Sequence, residues 1–122
     1  MAWIYNVSKR TFYLNENIQF KAKYAGAPGY KNDTRYECIA NKGPLPRGKY
    51  RIVGQPFKHP TAGKFTLRLQ PYASNNMCGR AGFLIHGDSD KHPGEASNGC
   101  IVLDPRLRQR IWESMEKELI VE

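Results

Sequence analysis

Residues 82–103 read Gly82-Phe83-Leu84-Ile85-His86-Gly87, then a polar loop from Asp88 to Ala96, then Ser97-Asn98-Gly99-Cys100-Ile101-Val102-Leu103. The runs Gly82–His86 and Cys100–Leu103 are almost continuously apolar, the pattern of central strands covered on both faces. One run ends on an imidazole, and the other opens on a thiol flanked by small residues. Side by side, two such strands would hold a cysteine nucleophile next to a histidine base. Such a pairing has a chemical reason. A thiol is mostly protonated near neutrality, and an imidazole can take its proton because it titrates near working pH. Gly99 lets a substrate carbonyl approach the backbone, where the N–H groups of Asn98, Gly99 and Cys100 can face a developing oxyanion. Ser97 or a backbone carbonyl is expected to hold the imidazole in its useful tautomer.

Working outward, residues 2–24 alternate apolar and polar positions through Trp3, Tyr5, Val7, Phe12, Leu14, Ile18, Phe20 and Ala22. Breaks at Ser8-Lys9-Arg10 and Asn15-Glu16-Asn17 divide this pattern into three short antiparallel strands. Ala25–Lys42 is rich in Gly, Pro, Asn and Asp and reads as a long surface loop. Its tyrosines, Tyr36 among them, serve either to line a binding groove or to pack the core. The prolines and Gly48 of Gly43-Pro44-Leu45-Pro46-Arg47-Gly48 set up a strand at Lys49–Val53. A second loop, Gln55–Gly63, leads to a strand at Phe65–Leu69. Asp104-Pro105 then signals a helix start. Its apolar stripe is Leu107, Ile111, Met115 and Leu119 with Trp112, and Arg106, Arg108, Gln109, Glu113, Glu116 and Lys117 form the wet face. The expected fold is mainly β (β-rich α+β), a mixed sheet or sandwich with one C-terminal helix, in a single domain over residues 1–122.

Composition narrows the function classes. Forty per cent hydrophobic and 25% charged residues over 122 positions are globular values. No apolar run is long enough for a membrane span. The net charge of +8 admits nucleic acid, an anionic membrane surface or an acidic polymer such as cell wall as partner. No nucleic-acid-binding motif accompanies that charge, so nucleic acid is not expected as a partner. A metal site from His86, Asp88, His92 and Cys100 matches no helical pair or CxxC spacing, so neither metal nor cofactor is expected. Cys38 and Cys78 are left either as a disulfide pair or as two separate thiols. The N-terminus, MAWIYNVSKR, lacks the apolar core of a Sec signal. Made in the cytoplasm, the protein is expected either to work there or to leave by a route that does not read such a signal.

His86-Gly87 followed by Ser97-x-Gly99-Cys100-Ile101 resembles the signature of YkuD-type L,D-transpeptidases. The order, histidine before cysteine, differs from papain-like enzymes. Trp3-x-Tyr5, Gly43-Pro44-Leu45-Pro46-Arg47-Gly48-Lys49-Tyr50, Gly79-Arg80-x-Gly82-Phe83-x-Ile85-His86-Gly87-Asp88 and Ala96-Ser97-x-Gly99-Cys100-Ile101-Val102 are closest to one branch, the Tlde1 group of type VI secretion effectors. The resemblance implies a cysteine L,D-carboxypeptidase or L,D-transpeptidase acting on peptidoglycan tetrapeptide stems as an antibacterial toxin. Delivery by a secretion system to the target-cell periplasm, and a cognate immunity protein, are implied with it. By the same resemblance Cys100 is the nucleophile and His86 the base, with Ser97 in the motif. Arg80, Gly87, Asp88 and Tyr36 are candidate substrate contacts. This chain has Val102 where the wider family carries an arginine. Recognition of the substrate carboxylate then falls to Arg80, Arg106 or Arg110. The competing expectation is a non-catalytic cell-wall or polyanion-binding module on the same scaffold.

Overall fold

A computed structural model describes residues 2–122. The alternating N-terminal sequence forms β1 (Trp3–Asn6), β2 (Thr11–Leu14) and β3 (Asn17–Lys21), paired antiparallel as the pattern predicts. Leu14 pairs with Asn17, so β2 and β3 are joined by Asn15-Glu16 alone. Both residues have positive φ (54° and 68°), as a two-residue hairpin whose twist matches its strands requires.

A two-residue strand β4 (Tyr24–Ala25) follows, then the predicted long loop, which contains one 3₁₀ turn at Thr34–Tyr36. The expected loop at Gln55–Gly63 is mostly strand. β5 runs Gly48–His59 and β6 Gly63–Pro71, so the connection shrinks to a tight turn. The pairing of β5 with β6 shifts between Val53 and Phe57 and again between Phe57 and His59. These irregularities interrupt the period of two, which is why the segment looked irregular in sequence.

β7 (Phe83–His86) and β8 (Ile101–Val102) are wholly buried, as their apolar sequence anticipates. Helix α1 (Pro105–Glu113) begins as predicted. The Asp104 carboxylate accepts from the Arg106 N–H at 3.1 Å, and a proline opens the first turn. Its expected end is wrong. Met115 has φ +65° and is 76% exposed, while Leu119 lies in β9 (Glu118–Val121). Leu119 satisfies both a helical spacing from Met115 and an alternation with Val121, and pairing in the sheet decided for the second. Arg108 is also corrected: placed on the wet face by the helical pattern, it is buried.

All strands join one mixed sheet in the order β3-β2-β1-β9-β5-β6-β7-β8-β4. β9 slots between β1, to which it is parallel, and β5, to which it is antiparallel. Residues from distant positions in that order share a single apolar cluster: Phe12 of β2, Ile52 of β5, Ile85 of β7 and Ile101 of β8, with Ile111 from α1. The sheet therefore curls around one core, and burying these side chains contributes roughly 1.5–3 kcal/mol each.

Candidate active site

β7 and β8 run parallel, with Ile85 opposite Ile101 and His86 opposite Val102. A strand alternates its faces. Ile85 and Ile101 therefore face the core, while Leu84, His86 and Val102 face the other way, and Cys100, immediately before β8 and two residues before Val102, lines the same cleft as His86. His86 and Cys100 are thus diagonal neighbours, brought together by a register that joins positions 14 residues apart in sequence. Both line a cleft of about 960 Å³. Its walls come from the loop after β7, the turn at Cys78–Gly82, the β5–β6 turn and the Asn98–Cys100 segment.

His86 Nδ1–H donates to the carbonyl of Gly87 at 2.7 Å, which leaves Nε2 as the basic nitrogen. Burial pushes the His86 pKa below its ordinary value; the bond to Gly87 opposes this, and the Arg108 cation reinforces it. The imidazole is therefore neutral near pH 7. Burial pushes the Cys100 thiol up, against the pull of nearby backbone N–H groups and of Arg80. Its Sγ lies 3.8 Å from the Gly82 carbonyl. At rest the two groups are a thiol and a neutral imidazole.

The remaining motif residues build the scaffold of this site. Ser97 Oγ donates to the Cys100 carbonyl (2.7 Å) and accepts from the N–H groups of Gly26 (2.9 Å) and Gly99 (3.0 Å). Of the two candidates for holding the imidazole, the Gly87 carbonyl does so; the Ser97 hydroxyl instead fixes the turn that carries the thiol. The Gly99 N–H, one of the three expected to face an oxyanion, is thus committed to Ser97. Asp88 accepts from the Tyr24 hydroxyl at 2.5 Å and from the N–H groups of Ser89 (2.9 Å) and Gly94 (3.1 Å). It folds the loop between the two strands, and Tyr24, pushed up to about 12 by burial and by Asp88, stays a phenol that also accepts from the Ala96 N–H. Tyr36 does not line the cleft; it packs edge-on against Tyr30 with ring centroids 5.1 Å apart. Cys38 and Cys78 form a disulfide, which settles the alternative left open by sequence and ties the long loop to the cleft wall.

Arg80 donates all four terminal N–H groups to carbonyls: Glu37 (2.6 Å), Pro44 (2.8 Å), Gly43 (3.0 Å) and Asn98 (3.1 Å). Neither Arg106 nor Arg110 lines the cleft, and Arg110 stacks over Phe20, 5.1 Å from its ring centroid.

The family can now be read. The Tlde1 domain model matches residues 19–120. This chain belongs to the Tlde1 domain family. No match emerges among curated proteins. Among solved structures, the Tlde1 domain is similar to a mutant Enterococcus faecium L,D-transpeptidase (14% identity, TM-score 0.59) and to Mycobacterium tuberculosis L,D-transpeptidase 1 (14%, 0.55). It is similar also to Bdellovibrio bacteriovorus Bd1075 (15%, 0.62). The matches cover 99% of the Tlde1 domain and 49%, 60% and 47% of those chains, so it spans about half their length. At such identities the likeness is one of fold, and it is the L,D-transpeptidase fold.

Two features of the Tlde1 domain were missed in sequence. Arg108 is 5% exposed and donates to the carbonyls of Phe65 (3.0 Å), Lys64 (3.2 Å) and Leu103. A Cβ on Gly87 would sit 3.0 Å from its Nη1, so the cation packs against the residue that orients His86. The only signal was its spacing of three from buried Ile111. His59, at the β5–β6 turn, lines the cleft, with Nδ1 accepting from the N–H groups of Thr61 (3.1 Å) and Ala62 (3.0 Å). Its proton is therefore on Nε2.

Proposed function

We propose that this Tlde1 domain is a cysteine enzyme acting on peptidoglycan tetrapeptide stems, an L,D-carboxypeptidase with L,D-transpeptidase or D-amino-acid exchange activity. The observation that carries this reading is the β7–β8 register, which puts His86 and Cys100 together at the cleft with Nε2 as the available base. In the proposed reaction, His86 Nε2 takes the Cys100 proton as Sγ attacks the carbonyl of the stem's third residue, at its L-centre. The tetrahedral oxyanion draws on backbone N–H groups at Asn98 and Cys100. Collapse breaks the peptide bond, and the imidazolium returns its proton to the departing D-Ala amine. The remaining thioester passes to water, giving a shortened stem, or to an amine, giving a cross-link or exchanged product. No metal or cofactor enters the scheme.

The biological setting belongs to the same proposal: an antibacterial effector of type VI secretion, acting in the periplasm of the target cell, with a cognate immunity protein. The Cys38–Cys78 disulfide supports work in an oxidising compartment. The test is mass spectrometry of tetrapeptide muropeptides incubated with the wild type, Cys100→Ala and His86→Ala. Release of D-Ala by wild type and its loss in both variants are expected; turnover retained by Cys100→Ala would sink the reading. The +8 charge favours a second reading, a non-catalytic module that binds cell wall or another polyanion. That module would bind equally well as Cys100→Ala, weaken steeply with salt, and form no Cys100 adduct with a carbapenem.

A further inference from the structure

Arg80 is the cleft residue whose surroundings differ most from what its type leads one to expect. A half-buried guanidinium normally finds a carboxylate, yet among the described residues none pairs with it. Glu37, whose backbone carbonyl Arg80 does meet, commits its carboxylate to Arg47 at 2.9 Å. The cation is instead held by the carbonyls of Glu37, Gly43, Pro44 and Asn98, which belong to three separate segments of the chain. Close approach is built into the sequence. A Cβ on Gly99 (φ +143°) would run into Arg80 Nη2 and come within 3.0 Å of the Gly43 carbonyl. Gly43 is just as confined, because a Cβ there would collide with the Tyr36 carbonyl. A second tie crosses the same gap, from the Leu45 N–H to the Gly99 carbonyl at 2.8 Å.

We propose that Arg80 is a positioning residue for the nucleophile: its guanidinium locks the Asn98–Cys100 turn to the Gly43-Pro44 wall and supplies the fixed positive charge that the Cys100 thiolate and the oxyanion face. This rests on the reading of Cys100 as nucleophile, and it assigns Arg80 a role other than gripping the substrate carboxylate. Every terminal N–H is already taken, so a carboxylate could claim only Nε–H without breaking the wall. The groups facing Arg80 are the Phe83 ring, 5.7 Å from the guanidinium carbon, the Tyr50 phenol and the Cys100 thiol. The charged and titratable groups facing His86, the other titratable side chain singled out in the cleft, are Arg108, His59 and Asp88. The effect of Arg80 on Cys100 is downward, against a larger upward effect of burial.

The experiment compares wild type, Arg80→Gln and Arg80→Lys by two readouts. The first is the pH dependence of Cys100 alkylation by iodoacetamide. The second is kcat and KM for D-Ala release from a tetrapeptide stem. Thermal unfolding of each variant checks that it is folded. Arg80→Gln should move the alkylation midpoint up by about one pH unit, the low end of what a neighbouring opposite charge does. Its kcat should fall by about tenfold or more with KM within about twofold, since orientation and charge act on the transition state. Arg80→Lys should keep the midpoint near wild type and still lose kcat, because an ammonium with three N–H donors cannot make the four bonds. If Arg80→Gln fails to fold, Arg80→Lys decides alone. A folded variant with raised KM, unchanged kcat and an unchanged alkylation profile would overturn the proposal in favour of carboxylate binding. The alkylation profile needs no turnover, so a shifted midpoint in a protein that releases no D-Ala would uphold Arg80 while refuting the peptidoglycan reaction.

Discussion

His86 and Cys100 owe their pairing to register and their resting charges to burial. With Nδ1–H held by the Gly87 carbonyl, protonating Nε2 would put a cation in a desolvated place beside Arg108. The group is neutral down to a pH below its ordinary value near 6.5. If His86 is the base, kcat/KM for D-Ala release falls as pH drops through that lowered pKa, so the acid limb lies below pH 6.5. Stability has the same sign. In the unfolded chain the histidine takes its proton first as pH falls, so its stabilising contribution is present above the unfolded value and lost through the folded one. A pH–rate profile paired with His86→Gln unfolding curves checks both; an acid limb above pH 6.5 would show that another group governs it. At this scale the thiol and imidazole were legible because their residue types carry the chemistry. The Gly87 carbonyl and buried Arg108 were not, because a backbone acceptor has no sequence signature and an arginine on a helix reads as solvated.

Among the elements, the connection between β4 and β5 is the longest and borders the cleft through Ala40 and Asn41. It is held at the Cys38–Cys78 bond, whose cysteines are separated by 40 positions and have Cα atoms 5.3 Å apart. Closing a loop of that size stabilises the fold by up to about 4 kcal/mol through the unfolded state. Cys38→Ser should therefore lower unfolding stability by about 2–4 kcal/mol in urea titrations and leave β1–β3 intact by hydrogen exchange. A change under about 0.5 kcal/mol would mean the loop is held by its other contacts, the carbonyl bonds to Arg80 among them. Element boundaries divided along physical lines. Hairpins with strict alternation and the Asp104-Pro105 helix start were readable from sequence, since local propensity and capping decide them. The extension of β5 through its irregularities and the switch of Leu119 from helix to β9 were decided by non-local pairing.

Over the whole molecule, the net charge is +8, and the proposed substrate is an anionic polymer. Long-range attraction of that kind accelerates encounter and is screened within about 10 Å at 0.1 M salt. On intact sacculi, kcat/KM should fall severalfold between about 10 and 150 mM salt, and change much less on an isolated tetrapeptide stem. Equal salt dependence on both substrates would place the effect inside the cleft and not in steering.

From sequence alone came the β-rich class, the three N-terminal strands, the helix start and the pairing of a histidine with a cysteine, because periodicity, turn chemistry and residue type act over a few positions. Tertiary structure alone decided the register that sets Cys100 diagonal to His86, the disulfide between Cys38 and Cys78, and the burial of Arg108. It also set the Arg80 guanidinium against four backbone carbonyls. Each of these depends on which distant segments the curled sheet brings within hydrogen-bond reach, and on how much water it removes there. No local pattern in the chain carries that information.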